Sequence, residues 1–314
     1  MFPFFRRLSA PLAALPIVVL ATLAHAAEPL RGLIDPPALK ARLGQTSLVV
    51  IDVRSGETKE QGRATFLAGH IPGAVHADYA HASWRLPRNN ISVYLPEPAQ
   101  FEALAGDLGV ANESNVVIVH EGTDATSFGS AARVYWSFKA MGHASIAILD
   151  GGYQAWQKAG FPVETKPVQP VAAIYEAKPV PALRAKLEDV LAAKDKNVTL
   201  VDSRPETFFS GQEKHKALST GGHIPGAINL PHHTAFGPDF RLKDKVSLAK
   251  AFAPAKRGDA AIAYCNTGHW AATDWFVLSE VLNQPNVKLY DGSMLEYTLE
   301  QKGPIATSRP RSGS

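Results

Sequence analysis

Cysteine is nearly absent from this chain: Cys265 is the only one in 314 residues, so no disulfide can form within it. Charge of one sign is missing as well. Lys and Arg number 32 against 29 Asp and Glu, a formal net charge of +3, and the basic residues never gather into a stripe, which argues against a nucleic-acid partner. No apolar run after Leu23 approaches the roughly 20 clean residues of a membrane-spanning helix. What remains is an ordinary globular composition, 46% hydrophobic and 19% charged, apolar enough to bury real cores and to exclude broad disorder. With about 100 to 200 residues per domain, a chain of this length is expected to hold two.

The first segment has the pattern of a cleaved export signal. Arg6 and Arg7 precede an apolar stretch from Leu8 to Leu23 that closes on Ala24-His25-Ala26. Pro11 and Pro16 interrupt the stretch and weigh against a membrane anchor. Cleavage near Ala26 is expected, leaving a mature protein in a periplasm or secreted, with no membrane contact. In an oxidising compartment structural cysteines come in pairs, so a lone one is a candidate reactive thiol. The competing reading is a buried, inert cysteine used as a small hydrophobe.

An internal repeat organises the rest. Leu48-Val-Val-Ile-Asp-Val-Arg54 and Gly69-His-Ile-Pro-Gly-Ala74 return as Leu200-Val-Asp-Ser-Arg204 and Gly222-His-Ile-Pro-Gly-Ala227. Asp52 maps to Asp202 and His70 to His223, a period of about 150 residues that means duplication of a domain and not a solenoid. Leu149-Asp-Gly-Gly-Tyr153 answers Tyr290-Asp-Gly-Ser-Met294, and Ala131-Ala132 answers Ala271-Ala272. Five prolines between Pro162 and Pro181 mark an extended linker. The expected division is a signal at 1–26, a first domain at 27–162, a linker at 163–181 and a second domain at 182–314.

Within each half, short apolar runs such as Val116-Val-Ile-Val119 and Ala261-Ile-Ala-Tyr264 alternate with helical patterns, so an α/β fold with mainly parallel sheets covered on both faces is expected. Such sheets bind ligands beyond the carboxyl ends of their strands. Cys265 follows one of those ends, and a helix is expected from Trp270. A tight loop there, Cys265-Asn-Thr-Gly-His-Trp270, converges backbone N–H groups into an anion nest at a helix start, which favours a thiolate and equally a persulfide anion. Gly268 allows the backbone conformations such a loop needs. The thiol itself is expected to be exposed.

The repeated Asp-x-Arg and Gly-His-Ile-Pro-Gly-Ala, the Cys-x-x-Gly loop and the following Asp-Gly-Ser together resemble the tandem rhodanese family, thiosulfate and 3-mercaptopyruvate sulfurtransferases. The resemblance covers nearly the whole mature chain. It implies two rhodanese-like domains, a persulfide carried on Cys265, a small anionic sulfur donor, a thiol or cyanide acceptor, and no metal or organic cofactor. It also implies that only the second domain is catalytic. Setting Val119-His120-Glu121 against Ala263-Tyr264-Cys265 puts Glu121 at the nucleophile's place, with a longer first loop.

The loop matches neither donor group of the family. Asn266, Thr267, His269 and Trp270 stand where thiosulfate enzymes carry basic residues and mercaptopyruvate enzymes small ones, and Phe208-Phe209-Ser210 stand where a carboxylate-binding arginine is sought. His269 is therefore expected to help hold an anionic donor, with Lys214, His215, Lys216 or Arg241 as further sources of charge. Trp270 walls the pocket or caps the helix core. Asp202 and Arg204 are expected to pair and order the loop, His223 to be structural, and Asp291 and Ser293 to line the pocket. A phosphatase is excluded by spacing, because Cys-x5-Arg is needed to clamp phosphate and the sixth residue after Cys265 is Ala271. The remaining alternatives are mercaptopyruvate as donor, or a sulfur carrier without turnover.

Overall fold

The computed structural model describes residues 29–308, except 89, 90, 301 and 302; the expected signal at 1–26 lies outside them. The first half runs β1 (Leu33–Ile34), α1 (Pro36–Arg42), β2 (Leu48–Asp52), α2 (Lys59–Ala68), β3 (Val75–His76), a two-stranded ribbon β4 (Leu86–Arg88) and β5 (Ile91–Tyr94), α3 (Pro98–Asp107), β6 (Asn115–Val119), α4 (Ala125–Ala140), β7 (Ile146–Leu149) and α5 (Gly152–Lys158). The second half runs α6 (Leu187–Leu191), β8 (Val198–Asp202), α7 (Glu206–Ser210), β9 (Ile228–Asn229), α8 (Lys245–Ala251), β10 (Ala260–Tyr264), α9 (Trp270–Phe276), β11 (Val287–Leu289) and α10 (Ser293–Leu299).

Each half builds one parallel sheet, in the order β1-β7-β6-β2-β3 and β11-β10-β8-β9. The second sheet keeps a trace of the missing edge strand, since Arg184 bridges Leu289 where Leu33 pairs with Ile148 in the first. Helices on both faces bury the central strands, which is why β6 and β7 are apolar along nearly their whole length and buried throughout.

The halves are fused through α4 and α9. Phe276 of α9 lies edge-on to Phe128 and Tyr135 of α4, with ring centroids 5.5 and 5.0 Å apart. One apolar cluster runs from Ile51 in the first sheet to Leu289 in the second. An interface packed like a domain interior fixes the two halves relative to each other. The linker stays outside regular structure through 165–180 and is tied to the first half by backbone bonds from Ala173 to Gly106 and from Lys178 to Met141.

Candidate active site

Cys265 is the first residue after β10 and Trp270 begins α9, so residues 266–269 carry the chain from the carboxyl end of the sheet into the helix. The thiol is not exposed as expected. Cys265 is only 1% accessible, because the start of α10 and the first half close over the loop.

The loop's backbone is held from outside. The carbonyls of Cys265 and Asn266 accept from the N–H groups of Met294 and Leu295, each at 3.0 Å. The Gly268 carbonyl accepts from Arg133 Nη1 at 3.3 Å. A peptide N–H points opposite to its own carbonyl, so these bonds turn the N–H groups of Asn266, Thr267 and His269 to the other side of the loop. Among the described residues, no protein acceptor takes the N–H of Asn266, Thr267, Gly268 or His269. That is the arrangement of an anion nest. Gly268 adopts φ 74°, and a side chain there would collide with the Arg133 guanidinium and the Asp291 backbone.

Ser293 is a buried support, and Asp291 lines a cavity with Arg88, Tyr94 and Arg184, not one that includes Cys265. Ser293 is fully buried, its Oγ accepting the Cys265 N–H at 3.1 Å and donating to the Tyr290 carbonyl at 2.8 Å, so it fixes the main chain of Cys265. Asp291 accepts from the Leu95 N–H at 2.8 Å and Arg184 Nε at 3.0 Å, which makes it a tie between the halves. Asp202 and Arg204 pair as expected, at 2.8 Å through Nε and 2.6 Å through Nη2. Arg204 also reaches the Gly222 carbonyl at 2.8 Å and Asn266 Oδ1 at 3.4 Å, so the pair anchors both the Gly-His-Ile-Pro-Gly-Ala turn and the cysteine loop. Burial disfavours the Arg204 charge, but the Asp202 hydrogen bond and charge outweigh it and its pKa is raised. His223 is structural: it stacks on Phe209 with Nδ1 facing that residue's carbonyl at 2.8 Å, as His70 does with Phe66 at 2.9 Å.

The first half shows why it lacks a nucleophile, and it corrects the alignment by one residue. Asp52 pairs with Val119 and Asp202 with Tyr264, so His120 and not Glu121 occupies the place of Cys265. Glu121 corresponds to Asn266, and Arg54 Nη1 faces it at 4.0 Å as Arg204 faces Asn266. The loops have equal length, since α4 begins at the fifth residue after His120 and α9 at the fifth after Cys265. The expected difference comes from setting Ala131-Ala132 against Ala271-Ala272; the helices themselves differ farther along. The α4 helix has 16 residues, whereas α9 has 7 followed by a π-helical turn at Val277–Val281. The two alanine pairs are not equivalent, Ala131-Ala132 standing further into α4 than Ala271-Ala272 stand into α9.

One backbone donor of the first loop is taken by a side chain, and its helix start is capped. Ser127 Oγ accepts the Gly122 N–H at 3.2 Å, and Asp124 caps the helix by accepting the Ser127 N–H at 2.7 Å. The corresponding residues of the second loop are Ala272 and His269, neither of which caps, so its donors stay open. His120→Cys placed in a Cys265→Ser background is therefore expected to take up no sulfur from thiosulfate. Intact mass checks this, and gain of a sulfur atom would contradict it.

His269 does not serve as a cationic donor-binding group. Nε2 lies 2.9 Å from the Thr126 carbonyl and must donate, while Nδ1, 3.0 Å from Tyr79 Oη, accepts the phenol proton. Both nitrogens are spent on the first half. Gly129 of α4 comes so near that a Cβ there would lie 2.8 Å from Nε2. Burial, with the nearby Arg85 charge, lowers the His269 pKa to about 3. Burial also lowers His120 and His232 to about 4. An unfolded histidine titrates near 6.5, so between that pH and about 4 the unfolded chain binds more protons than the folded one. Stability is thus fully present above about pH 6.5 and is lost as pH falls toward 4. Unfolding midpoints measured from pH 7.5 to 4.5 are expected to fall across that window; a flat profile would contradict neutral burial of these rings.

Trp270 both walls and bridges. Its ring stacks on His232 at 4.9 Å, lies edge-on to Phe208 at 5.9 Å, and its Nε1 donates to Thr126 Oγ1 at 3.3 Å. Of the other expected cations, Arg241 pairs with Asp150 at 3.3 Å and Lys214 donates to the Leu218 carbonyl at 3.0 Å. His215 Nδ1 accepts the Ala217 N–H, and Lys216 is exposed. Arg133, Tyr79, Thr126 and His232 escaped the sequence reading because each reaches the loop from a distant segment that carries no motif.

Comparison with known proteins agrees with this arrangement. The rhodanese-like domain family matches residues 35–159 and 186–300. The thiosulfate sulfurtransferase of Gallus gallus is 32% identical over 267 residues, covering 83% of this chain and 89% of that protein. That of Corynebacterium glutamicum is 31% identical over 285 residues, covering 86% and 88%. The crystal structure of the 3-mercaptopyruvate sulfotransferase SseA from Escherichia coli superposes with a TM-score of 0.71 at 27% identity, covering 83% of this chain and 98% of that one. Two matched domains, with His120 at a strand's carboxyl end in the first and Cys265 at the equivalent place in the second, place this chain in the rhodanese family as a tandem.

Proposed function

We propose that this protein is a thiosulfate sulfurtransferase. The Cys265 thiolate attacks the sulfane sulfur of thiosulfate; the Sγ–S bond forms, the S–S bond breaks, and sulfite leaves with the electron pair. A thiolate or cyanide then attacks the terminal sulfur of the persulfide, forming a new persulfide or thiocyanate and returning the Cys265 thiolate. The observation that carries this reading is the set of N–H groups without a protein acceptor beside Cys265, where the first half has His120 in the cysteine's place and the Gly122 donor engaged by Ser127. Fixed donors that need no reorganisation stabilise sulfur-centred negative charge through both steps.

Thiosulfate is expected to be the better donor than 3-mercaptopyruvate. It is compact and doubly charged, and backbone donors suffice for it. Mercaptopyruvate presents a planar carboxylate that paired arginine donors hold best, and the aromatic pair of Phe208 and Trp270 occupies the region where an arginine was sought. Likeness to SseA favours mercaptopyruvate as the second reading. Steady-state kinetics with both donors and cyanide decide: a higher kcat/KM for mercaptopyruvate would overturn the assignment, and a single sulfur taken up without thiocyanate turnover would indicate a dedicated carrier. Export to the periplasm or exterior belongs to the same proposal, tested by fractionation and by an N-terminus beginning near Ala27.

A further inference from the structure

Arg133 is a fully buried guanidinium contributed by α4 of the first half. Its Nη1 donates to the Gly268 carbonyl at 3.3 Å and its Nη2 to the Val93 carbonyl at 2.9 Å. Nη2 also lies 3.6 Å from Asp291, whose nearer partner is the partly exposed Arg184 at 3.0 Å. Two arginines share one carboxylate. Burial lowers the Arg133 pKa, opposed by the Asp291 charge. Packing alone gives no reason to place a charge here, since an apolar side chain of similar volume fills such a position at equal or lower free energy.

What the guanidinium does is orient one peptide. The bond to the Gly268 carbonyl pulls that oxygen toward the first half, and the N–H of the same peptide, on His269, is thereby turned to the opposite side, where no protein group among the described residues accepts it. Gly268 at φ 74° has the freedom to sit either way. With the oxygen reversed, a carbonyl dipole would face the sulfur anion in place of a donor. The carbonyls of Cys265 and Asn266 are pinned from within the second half by α10, but Gly268 is held across the domain boundary.

We infer that Arg133 is the positioning residue by which the first domain holds the Gly268–His269 peptide in its anion-binding orientation, so that the domain without a nucleophile completes the nest of the one that has it. This deepens the sulfurtransferase reading and rests on it for the substrate, but the orientation itself is testable without any donor. Arg133 touches neither Cys265 nor the transferred sulfur by this account; it acts through the backbone.

The test uses Arg133→Met and Arg133→Lys in the full chain. Asp291 keeps Arg184 and the Leu95 N–H in either variant, so no carboxylate is orphaned. Three quantities are measured: the thermal unfolding midpoint, the rate of Cys265 persulfide formation from thiosulfate by rapid-quench intact mass, and the rate of Cys265 alkylation by iodoacetamide at pH 7. Losing one preorganised donor costs roughly 100-fold or more. Arg133→Met, folded at assay temperature, is expected to slow persulfide formation at least 100-fold and alkylation at least tenfold, with Arg133→Lys recovering at least tenfold of the first rate. Rates within threefold of the parent in a folded Met variant would overturn the inference, as would losses that track only the unfolded fraction or a Lys variant no better than Met. Failure of the parent to accept sulfur from thiosulfate would strike the proposed donor, while the alkylation rates would still decide the role of Arg133.

Discussion

Cys265→Ser is expected to abolish sulfur transfer, with persulfide formation and thiocyanate turnover both falling below detection. A hydroxyl cannot form or carry a persulfide, and no second cysteine exists to substitute for it. The fold should persist, although the reason differs from that for an exposed thiol. Cys265 is buried and packs against its neighbours. The replacement removes little volume and places a hydroxyl beside polar backbone, which typically costs about 1 kcal/mol. In a chain of this size that moves the melting midpoint by only a few degrees, about 2 to 4 °C. Intact mass after thiosulfate treatment, with circular dichroism on the same sample, checks both halves of the expectation. Turnover surviving in a folded variant would mean that another group carries sulfur.

Arg204→Ala should be the most destabilising single change in the second domain. Both Asp202 oxygens are engaged by Arg204 in a site closed to water, and the same guanidinium supports Gly222 and Asn266. Removing one member of a buried pair leaves an uncompensated carboxylate, a loss of about 3–5 kcal/mol. Whole-domain stability is only about 5–15 kcal/mol, so the second domain is expected to unfold at much lower denaturant. Activity should fall further than unfolding explains, because Asn266 loses its anchor in the loop. Chemical denaturation followed by Trp fluorescence measures the first effect, and turnover per folded molecule the second. A shift below about 1 kcal/mol would show that Asp202 finds other partners or takes up a proton. Arg54→Ala makes an informative companion, since the Asp52 pair has the same geometry with no nucleophile beside it.

The contrast between the two halves marks the limit of reading residues in order. The repeat announced that Asp202 and Arg204 would pair and that His223 would be structural, because the same residues recur around a loop with no cysteine. Strand register was not legible to that accuracy. A one-residue slip put Glu121 where His120 stands, and only the pairing of Val119 with Asp52 corrects it. Setting Ala131-Ala132 against Ala271-Ala272, which stand at different places in their helices, likewise hid the fact that the two loops are equally long.

Sequence by itself determined the duplication, the parallel α/β architecture, the position of the single cysteine at a strand's carboxyl end and the turn glycine beside it. These follow from local patterns, since apolar runs, glycines and repeated motifs act within a few residues of themselves. Tertiary structure alone decided what the loop's side chains do. His269 read as a cation because histidine near an anion site usually is one, yet the approach of α4 half-buries it, takes both nitrogens and holds it neutral. Asp291 read as lining the donor pocket, yet Leu95, just past the ribbon, and Arg184 claim its oxygens. Arg133 carried no signal in the sequence, because its contact with Gly268 spans 135 residues and depends on how the domains pack. Charge and orientation at the nest come from that packing, which no local pattern encodes.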